Sequence, residues 1–279
     1  MARDKYGNEF HPREYDPDSP RVRCIKCGQM NSCKCVGVPK VPWYPRFPIL
    51  MNGGMIESVT HITGHQITIS KYTEWSLQKI VDTPLTLYPT QMLVIRDFIH
   101  PDLYKKIKEN WPDRTILKEN MEVGGRFQTS DYTFHDSYVT LMNDIFNNEN
   151  IKNAIVDKLQ LEWELKDNII IQFWEDTLKF KINDVHIDSE NFDITFGLYM
   201  PDDESISEYG TEFWSPNKYT ENLDDTFQKE ECDFIMKVPF IPNIIYFMPR
   251  TNRSWHSSPD IDMDIVRKHM YGFYQKNKK

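Results

Sequence analysis

The spacing of apolar and polar positions changes character twice along this chain. Residues 1 to 48 are rich in proline, charge and cysteine and keep no sustained helical or strand period, which predicts an extended arm. VPWYPRFPIL (41–50) is expected to lie across the surface of the main domain. From Ile56 to Ile80, SVTHITGHQITISKY is rich in β-branched residues near Gly53-Gly54 and Gly64, a strand-like pattern. LVIRDF then reads as a strand, and His100-Pro101 opens a helix with proline at its first position. Leu103, Ile107 and Trp111 give that helix one apolar stripe, and Pro112 is expected to stop it. Further helical pieces are predicted from Tyr138 to Phe146 and from Ile151 to Leu159.

After Asp167 the pattern becomes short, β-branched and aromatic, in NIIIQFW, LKFKINDVHID, FDITFGLYM, TEFW, CDFIMKVPF, NIIYFM and VRKHMYGFY. Strands in that number after a helical layer predict a mainly β fold with helical support, a double-sheet jelly roll with helices packed on one sheet. PDDESISEY and YTENLDDTFQKEE are read as solvated acidic loops, and no internal repeat is evident.

Composition narrows the class. The 279 residues suffice for one large core or two modest domains, and 39% hydrophobic with 13% aromatic residues suits a globular protein. Acidic residues outnumber basic ones by 42 to 33, so a general phosphate-binding surface, and with it nucleic acid, is not favoured. No run approaches the roughly 18 apolar residues of a membrane helix, and the N-terminus has no apolar signal core. The expectation is a soluble, cytoplasmic protein without a membrane partner.

Four of the five cysteines, Cys24, Cys27, Cys33 and Cys35, fall within twelve residues. CIKC followed by Gly28 suits half of a structural zinc knuckle, whereas the one-residue gap of CKC is short for the other half. Bound zinc and free surface thiols are both compatible with that spacing. Cys232, alone in an acidic stretch, reads as an ordinary free cysteine.

The most informative pattern is His186-Ile187-Asp188, then His256, then Arg267. On a strand, residues two apart share a face, so His186 and Asp188 can converge on one ion. A distant His256 would complete a two-histidine, one-carboxylate face that leaves open positions on an octahedral ion. Arg267 offers a fixed fork for a carboxylate. His-x-Asp alone is weak; the strand contexts, the later histidine and the basic residue strengthen it. His61 and His65 would stand about 13 Å apart on a strand, too far for one ion.

These residues resemble the Fe(II)- and 2-oxoglutarate-dependent oxygenases, over roughly residues 90 to 279. LVIRDFIHPDLYKKIKENWP resembles their strand-then-helix opening, and IIIQFWEDTLKFKINDVHID their approach to the first two ligands. GLYMP and GTEFW resemble the next two strands, and IIYFMPRTNRSWHSSP the approach to the distal histidine. The resemblance implies a double-stranded β-helix core within an oxygenase domain at 49–279, following an N-terminal arm at 1–48. It further implies iron ligation by His186, Asp188 and His256, and Arg267 on the far carboxylate of 2-oxoglutarate. An arginine there, rather than lysine, is similar to the prolyl-hydroxylase-like branch. The implied reaction hydroxylates a protein side chain or small molecule with O2, while 2-oxoglutarate goes to succinate; ascorbate would serve as reductant in an assay. Gln172 or Trp174 would contact the co-substrate, and Tyr271 would line the pocket. Arg126 falls in a region resembling the substrate-facing loop, although it reads first as a solvated loop arginine. His269 shares a strand face with Arg267 but matches no role in the family. The alternative is a cupin-like metal-binding protein or isomerase without 2-oxoglutarate, whose usual three histidines and glutamate fit Asp188 and Arg267 poorly.

Overall fold

The structure is a computed structural model that describes residues 69–166, 169–180 and 184–276, together with short strands at 22–24, 40–42, 59–60 and 66–67. The chain divides into two units, Met1–Glu57 and Ser58–Lys279. In the first, β1 (Val22–Cys24) pairs antiparallel with β2 (Lys40–Pro42). Cys27, Cys33 and Cys35, and with them the candidate zinc cluster, lie outside the described residues.

The second unit starts with paired β3 (Val59–Thr60) and β4 (Gln66–Ile67), followed by helix α1 (Lys71–Asp82). This corrects the strand-like reading of residues 56 to 80, since its last third is helical. Ser70 caps the helix by accepting from the Thr73 amide, and Thr73, Ser76 and Ile80 recur at helical spacing as its buried face. Next come β5 (Leu93–Ile95), α2 (Pro101–Glu109), β6 (Lys118–Glu119), β7 (Arg126–Thr129), α3 (Asp136–Leu141) and α4 (Glu149–Lys158). A π-helical turn, Met142–Phe146, follows α3. Helix α2 has Pro101 in its first turn as expected, but ends at Glu109 on an Asn110 cap. Trp111 lies past the helix end yet still packs on the same core, edge-on to Phe173 at 5.9 Å, while its indole donates to Glu175.

The remaining strands are β8 (Ile170–Asp176), β9 (Asp184–Val185), β10 (Ile194–Tyr199), β11 (Glu212–Pro216), β12 (Phe227–Gln228), β13 (Cys232–Lys237), β14 (Ile245–Pro249), β15 (His256–Ser257) and β16 (Arg267–Tyr274). They form a jelly roll. One sheet has the order β5-β14-β10-β16-β8-β7-β6, and the other β13-β11-β15. A bridge between His186 and His256 continues the smaller sheet to β9, which pairs with β12. The predicted strand in LKFKINDVHID is thus only two residues long beyond the undescribed 181–183, and β12 interrupts what reads as a loop.

Strand alternation gives the large sheet two different faces. Ile171, Phe173, Phe196, Phe247, Met270 and Tyr274 point to one side, where they form a single apolar core with Leu103, Ile107, Tyr138, Phe146 and Ile155 of the helical layer. The other side carries Tyr199 and Tyr246 towards Phe213, Val238 and Phe240, which closes the two sheets over an interior. Among the described residues no helix is long and apolar enough to cross a membrane.

Gly272 sits on the helix side of β16, where an added methyl would come within 2.4 Å of the Phe196 ring and 2.8 Å of the Ile170 carbonyl oxygen. The Phe196 ring has no room to retreat, because it stacks on Phe146 at 4.8 Å and both are buried. Gly272→Ala is therefore expected to lower stability by about 1–3 kcal/mol through overpacking, read as a reduced urea midpoint with an unchanged slope.

Candidate metal centre and its cavity

His186, Asp188 and His256 each present a donor atom, and the three atoms lie within 4.8 Å of one another. Backbone pairing brings them together. The His186 amide donates to the His256 carbonyl at 3.0 Å and the His256 amide to the His186 carbonyl at 2.9 Å, so the rings stand side by side with centroids 4.7 Å apart. His186 Nδ1 lies 3.0 Å from the Asp184 carbonyl oxygen, and His256 Nδ1 lies 2.9 Å from that of Ser254. A carbonyl only accepts, so both Nδ1 atoms carry a proton, which leaves Nε2 of each ring as the atom that can face a metal. Burial, and then the neighbouring His256, push the His186 imidazole below its ordinary range, which favours its neutral form.

Asp188 lies just past the strand end and is held from the opposite sheet. Thr195 Oγ1 donates to its Oδ2 at 2.6 Å, and Tyr271 Oη donates to its Oδ1 at 3.0 Å. Arg250 Nε grips its carbonyl oxygen at 2.7 Å. Burial, then the Asp188 charge, raise the Tyr271 phenol well above its usual range, so it stays a donor. His256 Nε2 is 3.7 Å from Asp188 Oδ2. Two imidazole Nε2 atoms beside one carboxylate make an N2O face suited to a divalent first-row metal.

The three donors open on a cavity of about 130 Å³ that Arg126, Trp174, Tyr199, Thr211, Tyr246, Arg267, His269 and Tyr271 also line. Arg267 is 2% exposed, and its Nε and Nη1 have no hydrogen-bond partner. Its Nη2 reaches Ser258 Oγ at 3.3 Å and stands 3.8 Å from Asp176 Oδ2. Asp176 is directly opposite Arg267 on one neighbouring strand and Arg126 on the other. Arg126 grips it with two bonds, Nε to Oδ1 at 2.6 Å and Nη2 to Oδ2 at 3.1 Å. Burial alone would raise the Asp176 carboxyl; the guanidiniums of Arg126 and Arg267 outweigh it and hold the group below the usual carboxylate range. His269 sits 3.9 Å from the same carboxylate, yet burial pushes its pKa down to about 3, so it is neutral, and its Nδ1 lacks a partner.

The sequence-predicted residues divide accordingly. His186, Asp188, His256, Arg267, Tyr271 and Trp174 meet at one cavity, whereas Gln172 does not line it and instead accepts from the Trp174 indole at 3.1 Å. Arg126 is a correction. It is a buried strand residue and not a solvated loop arginine, because Asp176 neutralises it and the rings of Trp174 and Phe180 cover it at 3.6 and 4.5 Å. His269, left without a role by sequence, also lines the cavity. His61 and His65 lie outside the described residues, and Cys232 is a buried free thiol whose pKa burial pushes up to about 11. Thr195, Asp176 and Tyr199 were not anticipated; the one available signal was their place at alternate positions of strands flanking the ligands.

No protein-family model matches this chain, and no curated protein matches it in sequence. Its fold is similar to that of several solved structures. A prolyl-4-hydroxylase from Pseudomonas putida is 10% identical over 73% of this chain and 98% of that one, with a TM-score of 0.44. HygX from Streptomyces hygroscopicus, solved with nickel, 2-oxoglutarate and hygromycin B bound, is 8% identical over 66% of this chain and 82% of its own, with a TM-score of 0.45. A prolyl hydroxylase from Trichoplax adhaerens, in complex with a hypoxia-inducible-factor peptide fragment, is 12% identical over 73% and 88%, with a TM-score of 0.40.

Proposed function

We propose that this protein is an Fe(II)- and 2-oxoglutarate-dependent oxygenase that hydroxylates a protein side chain or a small molecule. The observation that carries the reading is Arg267, buried with two unpaired nitrogens in the same cavity as the two-histidine, one-carboxylate face. Buried donors normally find partners, so unpaired ones facing a cavity imply an acceptor that binds there. A guanidinium fork matches a carboxylate, and the metal face would take the other end of the same molecule. Formal charges agree with a dianion. A divalent ion with Asp188 leaves one positive charge, Arg126 and Arg267 with Asp176 leave a second, and 2-oxoglutarate carries two negative ones.

When bound, the iron with O2 and 2-oxoglutarate would supply the oxidising power, with succinate and CO2 as co-products. The chain's own residues would do the rest. His186 and His256 would present Nε2 lone pairs, with Asp188 as the anionic ligand. Thr195 and Tyr271 would keep that carboxylate in one orientation, as outer hydrogen bonds do for metal ligands. Arg267 would hold the distal carboxylate of the co-substrate, and the hydroxyls of Tyr199, Thr211 and Tyr246 would line the wall beside it.

The full chain with Fe(II), ascorbate and 2-oxoglutarate is expected to form succinate slowly without added substrate. His186→Ala should abolish that turnover and lose the metal, whereas Arg267→Ala should weaken 2-oxoglutarate and keep the metal. Absence of turnover together with unchanged metal content in His186→Ala would sink the reading. A search for adducts of about +16 Da, one added oxygen, then identifies the substrate.

Tyr271→Phe removes one of the two hydroxyls on Asp188 and leaves the ring stacked on Trp174, 4.3 Å away. Metal affinity is expected to fall about tenfold, the low end for loss of an outer partner, with 2-oxoglutarate affinity at saturating metal within about threefold. Equal loss of both in a metal titration would place Tyr271 against the co-substrate instead.

A further inference from the structure

Arg267 keeps two donors unpaired although a buried carboxylate stands 3.8 Å away. That coexistence needs a cause, because a guanidinium and a carboxylate at such range normally close into a bidentate pair. The cause lies one strand further along. Asp176 on β8 has Arg126 of β7 and Arg267 of β16 as its direct cross-strand neighbours, in a row of positive, negative and positive groups. Each of its oxygens already accepts a bond from Arg126, at 2.6 and 3.1 Å. Arg126 in turn is held in place: its guanidinium lies 3.6 Å from the Trp174 ring and 4.5 Å from the Phe180 ring, and Gly125 before it lets the chain approach the Phe180 backbone closely. Gly125 has φ of +71°, and a methyl there would fall 2.4 Å from the Phe180 amide nitrogen. His269, the other group facing Asp176, is neutral and does not compete.

We infer that Arg126 is a positioning residue for the co-substrate site: by occupying Asp176 it prevents that carboxylate from capturing Arg267, and so keeps the Arg267 fork open for the distal carboxylate of the dicarboxylate. The inference rests on the function proposed above and adds a residue to it. Arg126 acts through Asp176 and does not itself hold the ligand.

This arrangement has an unusual signature, because a second substitution should repair the first. In the full chain loaded with Mn(II), which binds without turnover, titration calorimetry with 2-oxoglutarate reads the site directly. Arg126→Met frees Asp176 to pair with Arg267, and affinity is expected to fall about tenfold or more, the worth of a charge-assisted pair. Arg126→Met combined with Asp176→Asn removes the competitor as well, and affinity should return to within about threefold of the unaltered protein. The double variant also replaces a buried ion pair as a unit, a change that proteins generally tolerate. If the single variant does not fold by circular dichroism, the double variant decides alone, with near-normal binding supporting the inference. Normal binding by the single variant, or a double variant as weak as the single or at least tenfold weaker than the unaltered chain, would overturn it while leaving the oxygenase reading intact. No binding by the unaltered protein would remove that reading and this inference together.

Discussion

One buried carboxylate organises the cavity. Asp176 is fully enclosed between two guanidiniums on adjacent strands, gripped by Arg126 and 3.8 Å from Arg267, and its charge offsets part of the cost of burying them. Its position follows from register. Arg126, Asp176 and Arg267 stand in line only because β7, β8 and β16 pair as they do, and a one-residue slip of any of these strands would turn its charged residue to the helical face. That face is filled by Phe173, Met270 and Tyr274, so the apolar core and the charged row enforce the same register from opposite sides of one sheet.

The metal face depends on the second sheet, and the two halves meet through Asp188. His186 and His256 are set by a backbone bridge at the edge of the smaller sheet, while Asp188 receives its hydroxyl bonds from Thr195 and Tyr271 on the large one. Geometry at the ion would therefore be shared between sheets packed face to face. Rigidity here comes from ordinary features, namely strand pairing, short hydroxyl bonds and ring stacking, acting on one small volume. Trp174 shows the economy: one face stacks on Tyr271, which holds Asp188, and the same indole meets the guanidinium of Arg126, which holds Asp176.

The parts legible in sequence share a local signature. His-x-Asp on a strand, a histidine in an aromatic context and an arginine opening VRKHMYGFY are each recognisable within a few residues, and alternation alone places Arg267, His269 and Tyr271 on one side. Helix α1 was missed because ITISKYTEWSLQKI begins with β-branched residues, and its decisive signal, Ser70 capping Thr73, is a single hydrogen bond. Arg126 was misjudged for a different reason. It lies 50 residues from Asp176, and no local pattern says that β7 will pair with β8. A charged residue next to Gly124-Gly125 looks solvated until its cross-strand neighbour is known.

The unpaired nitrogens of Arg267 and His269 carry a further consequence. Polar groups buried without protein partners cost stability, and folded chains mostly avoid them. Collapse of Arg267 onto Asp176 would relieve part of that cost, and it is the nearest alternative arrangement. The structure withholds it by committing Asp176 to Arg126 and by covering Arg267 with Phe180 and Phe240, whose centroids lie 5.7 and 5.4 Å from the guanidinium carbon. An open fork that cannot relax has already lost its solvation and rotamer freedom, so a carboxylate entering the cavity meets donors that need no rearrangement. The local instability and the readiness to bind are then one property of the charged row.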